Sequence, residues 1–144
     1  NIKYVESSVF SNFENIKFDI IINDISGISE EVAKISPWFS KVSCESGLDG
    51  TKLTINFLKN YKKFLKKNGK VFFPIISLSN ENKIFRYLIK NNIRYKILSN
   101  NSWPLPQDMM KFKEKIQKLK NKKYISYKEQ FNLLIATTKI IKIF

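Results

Sequence analysis

Residues 18–25 read Phe-Asp-Ile-Ile-Ile-Asn-Asp-Ile, an apolar run that ends in the polar pair Asn23 and Asp24. Such a run predicts a strand buried on both faces, as the central strands of parallel sheets are. In open α/β sheets, polar side chains at the carboxyl end of a strand point into the crevice where ligands bind. The pair also suits a simpler role, since Asn and Asp commonly end a strand and start a turn.

The segments around this run switch repeatedly between strand and helix periodicity. Further strands are predicted at residues 2–10, 71–78, 93–98 and 131–144. Helices are predicted at residues 29–35, 51–67 and 80–90, and along a face formed by Met109, Phe112, Ile116 and Leu119. This alternation predicts an α/β domain with a mostly parallel sheet and right-handed crossovers.

Four local signals refine these elements. Asn68-Gly69 is a typical helix C-cap, which would end the helix over residues 51–67. Ser29 and Ser79 precede helical patterns and are expected to cap them. Pro74 lacks a ladder donor, so we expect a bulge or a sheet margin there.

Composition limits the domain count and the chemistry. With 144 residues, 43% of them hydrophobic, the chain suits one domain with one modest core. Cys44 is the only cysteine and histidine does not occur, which excludes a disulfide framework, the usual zinc sites and imidazole catalysis. The sequence has neither an apolar run of about 18 residues nor an export signal, so we expect a cytoplasmic protein without a membrane span.

The net charge of +14 invites a nucleic-acid interpretation. However, only Arg86 and Arg94 among the 26 basic residues are arginine, the residue that binds phosphates and bases bidentately. We therefore favour a solvated lysine surface. An RNA, ribosome or other acidic partner bound through it is the alternative, with the lysine run at 111–123 as its clearest candidate.

Three segments in order resemble a known family. Residues 18–23, the segment Ser-Gly-Leu-Asp-Gly at 46–50, and Leu-Lys-Lys-Asn-Gly-Lys-Val at 65–71 look like one block of the release-factor glutamine methyltransferases and their relatives. There a strand FDxIxxNPPY is followed by GGxDG, a helix and LKxGGxL. Residues 2–10 are similar to the family's third strand, whose end borders the adenine of the cofactor. The resemblance runs from about residue 2 to residue 98.

The resemblance implies a Rossmann-like methyltransferase sheet, mostly parallel with an antiparallel last strand. It implies methyl transfer from S-adenosylmethionine to a nitrogen of a protein or RNA acceptor, chemistry in which positioning supplies much of the rate. Asn23, Asp24 and Ser26 would then be catalytic, and replacement of Asn23 by Ala should abolish transfer in the complete protein. The cofactor-binding residues would be Ser7, Ser8, Val9 and Asn23.

The chain departs from the family pattern. Asn-Asp-Ile-Ser stands at 23–26 where the family has NPPY, and Ser8 aligns with the acidic residue that would bind the adenine amine. None of the four glycines forms the G-x-G turn of the cofactor site. Without the family's first two strands, the apolar strand at 18–25 would be an exposed edge. We therefore expect the N-terminal half to be encoded in the same gene or supplied by a partner chain, and the present chain alone to be inactive.

Two other functions remain open. A degenerate, non-catalytic relative could serve as a binding or assembly module, possibly associated with RNA or the ribosome, and the altered 23–26 segment favours it. A lysine-rich RNA-binding domain without enzymatic ancestry has only the charge behind it.

Three further residues have a structural and a functional interpretation. Cys44 is expected to be a small buried residue and not a nucleophile, since no histidine activates it. Trp103 suits a turn anchor better than a stacking platform for substrate. Asp49 is expected to stabilise the turn at 47–50 or cap the next helix.

Overall fold

The computed structural model of the chain describes residues 2–14, 16–25 and 27–144. The strands are β1 (Phe18–Ile22), β2 (Leu65–Ile76), β3 (Tyr95–Pro104), β4 (Lys128–Gln130) and β5 (Leu133–Ile143). The α-helices are α1 (Glu30–Ala33), α2 (Lys52–Phe64), α3 (Glu81–Lys90) and α4 (Lys113–Asn121). Two 3₁₀ helices, Pro37–Phe39 and Gln107–Phe112, precede α2 and α4.

The strands form one open, mixed sheet in the order β1-β2-β5-β3, and β4 pairs with β5. β1 and β2 are parallel, whereas β5 is antiparallel to β2, β3 and β4. The expected antiparallel last strand is therefore confirmed. β5 lies between β2 and β3, so the two strands that α3 connects run in the same direction without being neighbours.

The two faces of the sheet carry separate apolar clusters. α2 and α3 cover one face, where Phe57, Leu58, Ile84 and Leu88 pack against alternate residues of β1, β2 and β5. α1, the 3₁₀ helix Gln107–Phe112 and α4 build the second cluster, which includes Val32, Met109 and Ile116. Leu134 and Ala136 of β5 lie in this second cluster, whereas Ile141 and Ile143 lie in the first. The helices therefore cover both faces, and the domain is α/β, as the alternation of periodicities predicted.

The prediction for the apolar run at 18–25 is only partly confirmed. It forms β1, but β1 is an edge strand and not an interior one. Ile21 is buried beneath α2, while Ile20 and Ile22 on the other face are 56% and 75% exposed. The strand predicted at residues 2–10 is wrong: this segment has no strand, and Ile2 and Tyr4 are 82% and 90% exposed.

The expected helix end at Asn68-Gly69 is also wrong. α2 ends at Phe64 and the chain passes directly into β2. Phe18 pairs with Leu65 while Ile20 pairs with Lys70, so residues 66–69 bulge from β2. A Cβ at Gly69 would lie 2.6 Å from Cδ1 of Leu65, so glycine allows this bulge to pack.

Several end signals can be compared with the structure. Ser29 stands at the N-cap of α1, as predicted, while the cap of α3 is Asn80 and not Ser79, since Asn80 accepts a hydrogen bond from the Lys83 N–H at 3.0 Å. Pro74 lies where β2 has passed the end of β1, which confirms the expected sheet margin. The long last strand is instead a hairpin, in which β4 and β5 meet through Phe131 and Asn132, both with positive φ.

Within residues 2–14, 16–25 and 27–144, no helix is long and apolar enough to cross a membrane.

Candidate active site

The carboxyl ends of β1, β2 and β3 lie at the same edge of the sheet, because these three strands run in one direction. The Asn23 N–H donates to the Phe72 carbonyl at 2.9 Å and extends the ladder by one residue beyond β1. The chain then turns away from the sheet at Asp24 and Ile25. This edge is where an open α/β sheet offers a ligand crevice.

The Asn23 side chain shapes this turn. The residue is 7% exposed, and its Oδ1 accepts a hydrogen bond from the Ile25 N–H at 3.2 Å. This Asx-type contact is the simpler of the two roles that the sequence suggested. Asn23 therefore positions Asp24, which is exposed at the outside of the turn.

Asp24 and Ile25 line two pockets, one on each side of the turn. The first, which we call the edge pocket, has a volume of about 430 Å³ and lies along the outer edge of β1. Its walls are apolar apart from Asn23 and Asp24, and are formed by Val9, Phe10, Phe13, Phe18, Ile20, Ile21, Ile22 and Phe57. The edge pocket can therefore hold a planar apolar group beside one carboxylate.

The second, which we call the tryptophan pocket, has a volume of about 460 Å³. It lies between the turn after β1 and the carboxyl ends of β2 and β3, and its lining consists of Asp24, Ile25, Gly27, Ile28, Trp38, Phe39, Pro74, Ile76 and Trp103. Trp38 and Trp103 meet edge to face with ring centroids 5.4 Å apart. Two indoles and one carboxylate suit a flat group that carries a hydrogen-bond donor.

Hydrogen bonds position both tryptophans, Trp38 through its backbone and Trp103 through its indole. Trp38 lies in the 3₁₀ helix Pro37–Phe39, whose cap Ser36 accepts a hydrogen bond from the Trp38 N–H at 3.2 Å. Trp103 lies near the end of β3 and its Nε1–H donates to Oγ1 of Thr138 at 2.9 Å. Trp103 is thus anchored, as the sequence predicted, and still contributes to a pocket. Its contact with Trp38 could not be predicted from the sequence, since the two residues meet only through the tertiary fold.

The predicted cofactor residues are not equivalent. Val9 lines the edge pocket with Asn23 and Asp24. Ser8 lines a separate, adjoining pocket against α2. The Ser7 Oγ accepts a hydrogen bond from the Asn12 N–H at 3.1 Å, within a turn. Ser26, the third predicted catalytic residue, lies outside the described residues.

The segment at 46–50 has a structural role. Asp49 accepts hydrogen bonds from the Thr51 N–H at 3.2 Å, the Thr51 hydroxyl at 2.8 Å and the Lys83 ammonium at 2.7 Å. Burial alone would raise the pKa of Asp49, but these hydrogen bonds outweigh it and hold the pKa below its usual range. Asp49 thus joins the starts of α2 and α3, as expected for a turn residue.

Gly50 has a φ of +71°, and a Cβ there would lie 2.5 Å from the Ile28 carbonyl carbon. Only glycine permits this close contact between the loop and the chain entering α1.

No metal centre is formed by the Cys, Asp and Glu residues in the described part of the chain. Cys44 is half-buried and its Sγ lies 3.1 Å from the Ser46 hydroxyl.

The fit of S-adenosylmethionine to the edge pocket is partial. The apolar walls suit adenine, and Val9 and Phe10 are among the residues that would hold it. The described lining holds no lysine, arginine or glycine, so it offers no charged donor or glycine-rich turn for the amino-acid end of the cofactor.

Comparison of the chain with protein-family models, with curated proteins and with solved structures finds no match.

Proposed function

We propose that this chain is the C-terminal catalytic part of an S-adenosylmethionine-dependent N-methyltransferase. The observation that carries the proposal is the position of Asp24. This exposed carboxylate follows a sheet strand and lines both a largely apolar pocket and an aromatic pocket. The methyl group of the donor and the nitrogen of the acceptor must come into contact. Asp24 lies between an apolar pocket that suits the donor and an aromatic pocket that suits the acceptor.

The acceptor side of the reaction follows from the tryptophan pocket. A planar amide or base stacks on one of the two indoles, Trp38 or Trp103, and its nitrogen donates a hydrogen bond to Asp24. The cofactor, when bound, supplies an activated methyl group. An acceptor nitrogen that receives the methyl group would lose a proton, and the Asp24 carboxylate would accept that proton or pass it to water.

The other half of the donor site is proposed to come from the N-terminal half expected from the sequence, in the same gene or in a partner chain. β1 supports this view. Ile20 and Ile22 present an exposed apolar surface, and no strand among the described residues pairs with the outer edge of β1. Natural sheets seldom leave such an edge uncovered.

Calorimetric titration with S-adenosylhomocysteine tests the proposal on the full-length gene product and on residues 1–144 alone. We expect saturable binding to the full-length protein, or to its complex if a partner chain supplies the other half, and none to residues 1–144. Tight binding to residues 1–144 would contradict the division of the donor site. The lack of binding to any of these forms would contradict the methyltransferase function.

A non-catalytic binding module is the second candidate. The buried Asn23 amide favours it, since its oxygen is already engaged by the Ile25 N–H within the turn. The same titration separates the two candidates, because a binding module of this kind has no need of the cofactor.

A further inference from the structure

The surface formed by α2 and the bulge of β2 has an unusual charge distribution. Residues 50–80 contain seven lysines and no acidic residue. The lysines, here called the α2 lysine surface, are all exposed: Lys52, Lys59, Lys62, Lys63, Lys66, Lys67 and Lys70. They lie on the outer side of α2 and on the bulge that follows it without an intervening loop.

Little neutralises this surface. Among the seven lysines of this surface, only Lys66 has a carboxylate partner within the described residues, Asp19 at 2.9 Å. The lysine run at 111–123, which the sequence made the clearer candidate, is more fully neutralised, since three of its seven lysines, Lys111, Lys113 and Lys115, each pair with an acidic residue. Like charges three and four residues apart destabilise a helix, as at Lys59, Lys62 and Lys63. A polyanion would relieve this repulsion.

The chemistry around these lysines distinguishes between polyanions. No large apolar side chain between residues 52 and 70 is among the exposed ones, so α2 and the bulge offer nothing to insert into a lipid layer. The exposed Ile20, on the neighbouring strand β1, pairs with Lys70. A pocket of about 270 Å³ opens beside α2. Its lining combines the polar Ser8, Ser11, Asn56, Asn60 and Lys63 with the apolar Val9, Phe10 and Phe64. Hydroxyl and amide groups beside a lysine can bind a phosphate and a ribose 2′-hydroxyl together.

We infer that the α2 lysine surface binds the phosphate backbone of RNA without reading its sequence, with a ribose in the Ser8–Asn60 pocket. Lysine is a point charge that suits phosphates, and the scarcity of arginine is consistent with an interface that does not read bases. The inference does not depend on methyl transfer, because this surface is centred on α2 and the start of β2, and none of its lysines lines the edge or tryptophan pocket.

Fluorescence anisotropy with a labelled, mixed-sequence single-stranded RNA tests the inference. We expect a dissociation constant below about 100 µM at low salt, and a slope of log K against log salt near −3 for about four or five phosphate contacts. The double variant Lys59→Glu/Lys63→Glu should bind at least about tenfold more weakly. Its slope should be shallower by about 1.4, because two phosphate contacts are lost.

The matched control is Lys118→Glu/Lys122→Glu, which makes the same charge change at the same spacing in the last turn of α4 and at its C-cap. We expect this control to lose less than about threefold in affinity. Equal losses in the two variants, or no binding by the wild type, would overturn the inference. Thermal melts of both variants show whether each one folds.

Two further probes identify the ligand. A DNA strand of the same sequence should bind more weakly, because it lacks the 2′-hydroxyl. Equal binding of DNA would overturn the assignment to RNA. A lower apparent dissociation constant for phosphatidylserine vesicles, measured by co-sedimentation, than for RNA would overturn it in favour of a lipid surface.

Discussion

Asn23 and Asp24 divide between them the two roles that the sequence suggested for the pair. Asn23 is buried and holds the turn, while Asp24 is exposed to both pockets. The sequence could place the pair at the end of a strand, because an apolar run followed by Asn-Asp has that meaning locally. Which of the two side chains faces the crevice depends on the Ile25 N–H contact, and no periodicity encodes that contact.

Asp49 should make the stability of the domain sensitive to acid. Its folded-state pKa is depressed, mainly through Lys83 and Thr51 working against burial, so the unfolded chain binds the proton more readily. The stabilisation is therefore present above the usual pKa of 3.8 and is lost as the pH falls through the lower, folded-state value. Melting temperatures measured from about pH 6 to about pH 3 should fall more steeply for the wild type than for Asp49→Asn.

The control for this comparison is Asp108→Asn, because the Asp108 side chain is 82% exposed. We expect this control to follow the wild-type profile. A profile of Asp49→Asn as steep as that of the wild type would show that the Lys83 and Thr51 contacts do not favour the charged carboxylate.

The effect of a substitution on strand β1 should depend on whether another segment covers its outer edge. In residues 1–144 the Ile22 side chain is 75% exposed, so Ile22→Lys should change the free energy of unfolding by less than about 0.5 kcal/mol. The new charge should reduce self-association through the open edge, as measured by sedimentation velocity. In the full-length protein the same change should destabilise by about 1–3 kcal/mol, because the lysine would be buried against the covering segment.

Ile89→Lys on α3 is the matched control, since Ile89 is 65% exposed and lies away from the β1 edge. It should leave both the isolated chain and the full-length protein nearly unchanged. If Ile22→Lys behaves like this control in the full-length protein, no segment covers the β1 edge.

The helices were more predictable than the strands. α2 and α3 have apolar residues at spacings of three and four, and this spacing depends only on the helix itself. Residues 2–10 were predicted as a strand because they contain β-branched and aromatic residues. A strand also needs a neighbouring strand to pair with, and these residues do not pair with the open edge of β1. The Asn68-Gly69 signal was misread for a similar reason, since pairing of β2 with β1 turns a helix-ending sequence into a bulge.

For the whole molecule, the sequence predicted an α/β domain but not the order of its strands. The position of β5 between β2 and β3 is decided by pairing between residues far apart in the chain, such as Phe73 with Ile141 and Ile97 with Ile141. The meeting of Trp38 and Trp103 depends on the same long-range packing. The contribution of Asp24 to the proposed site could therefore be predicted from the sequence, whereas the pairing of Trp38 with Trp103 became evident only from the fold.

Methyl transfer by the full-length gene product, or its complex, from labelled S-adenosylmethionine to pooled cellular RNA and protein is the most direct measurement of the proposed function. Asp24→Asn should lower the rate by about 10- to 100-fold, because the acceptor nitrogen loses a charged hydrogen-bond partner. Asp108→Asn, at an exposed carboxylate that lines neither the edge pocket nor the tryptophan pocket, should retain the wild-type rate. Unchanged transfer by Asp24→Asn, or no transfer to either pool by the wild type, would contradict the assignment of this crevice as an N-methyltransferase site.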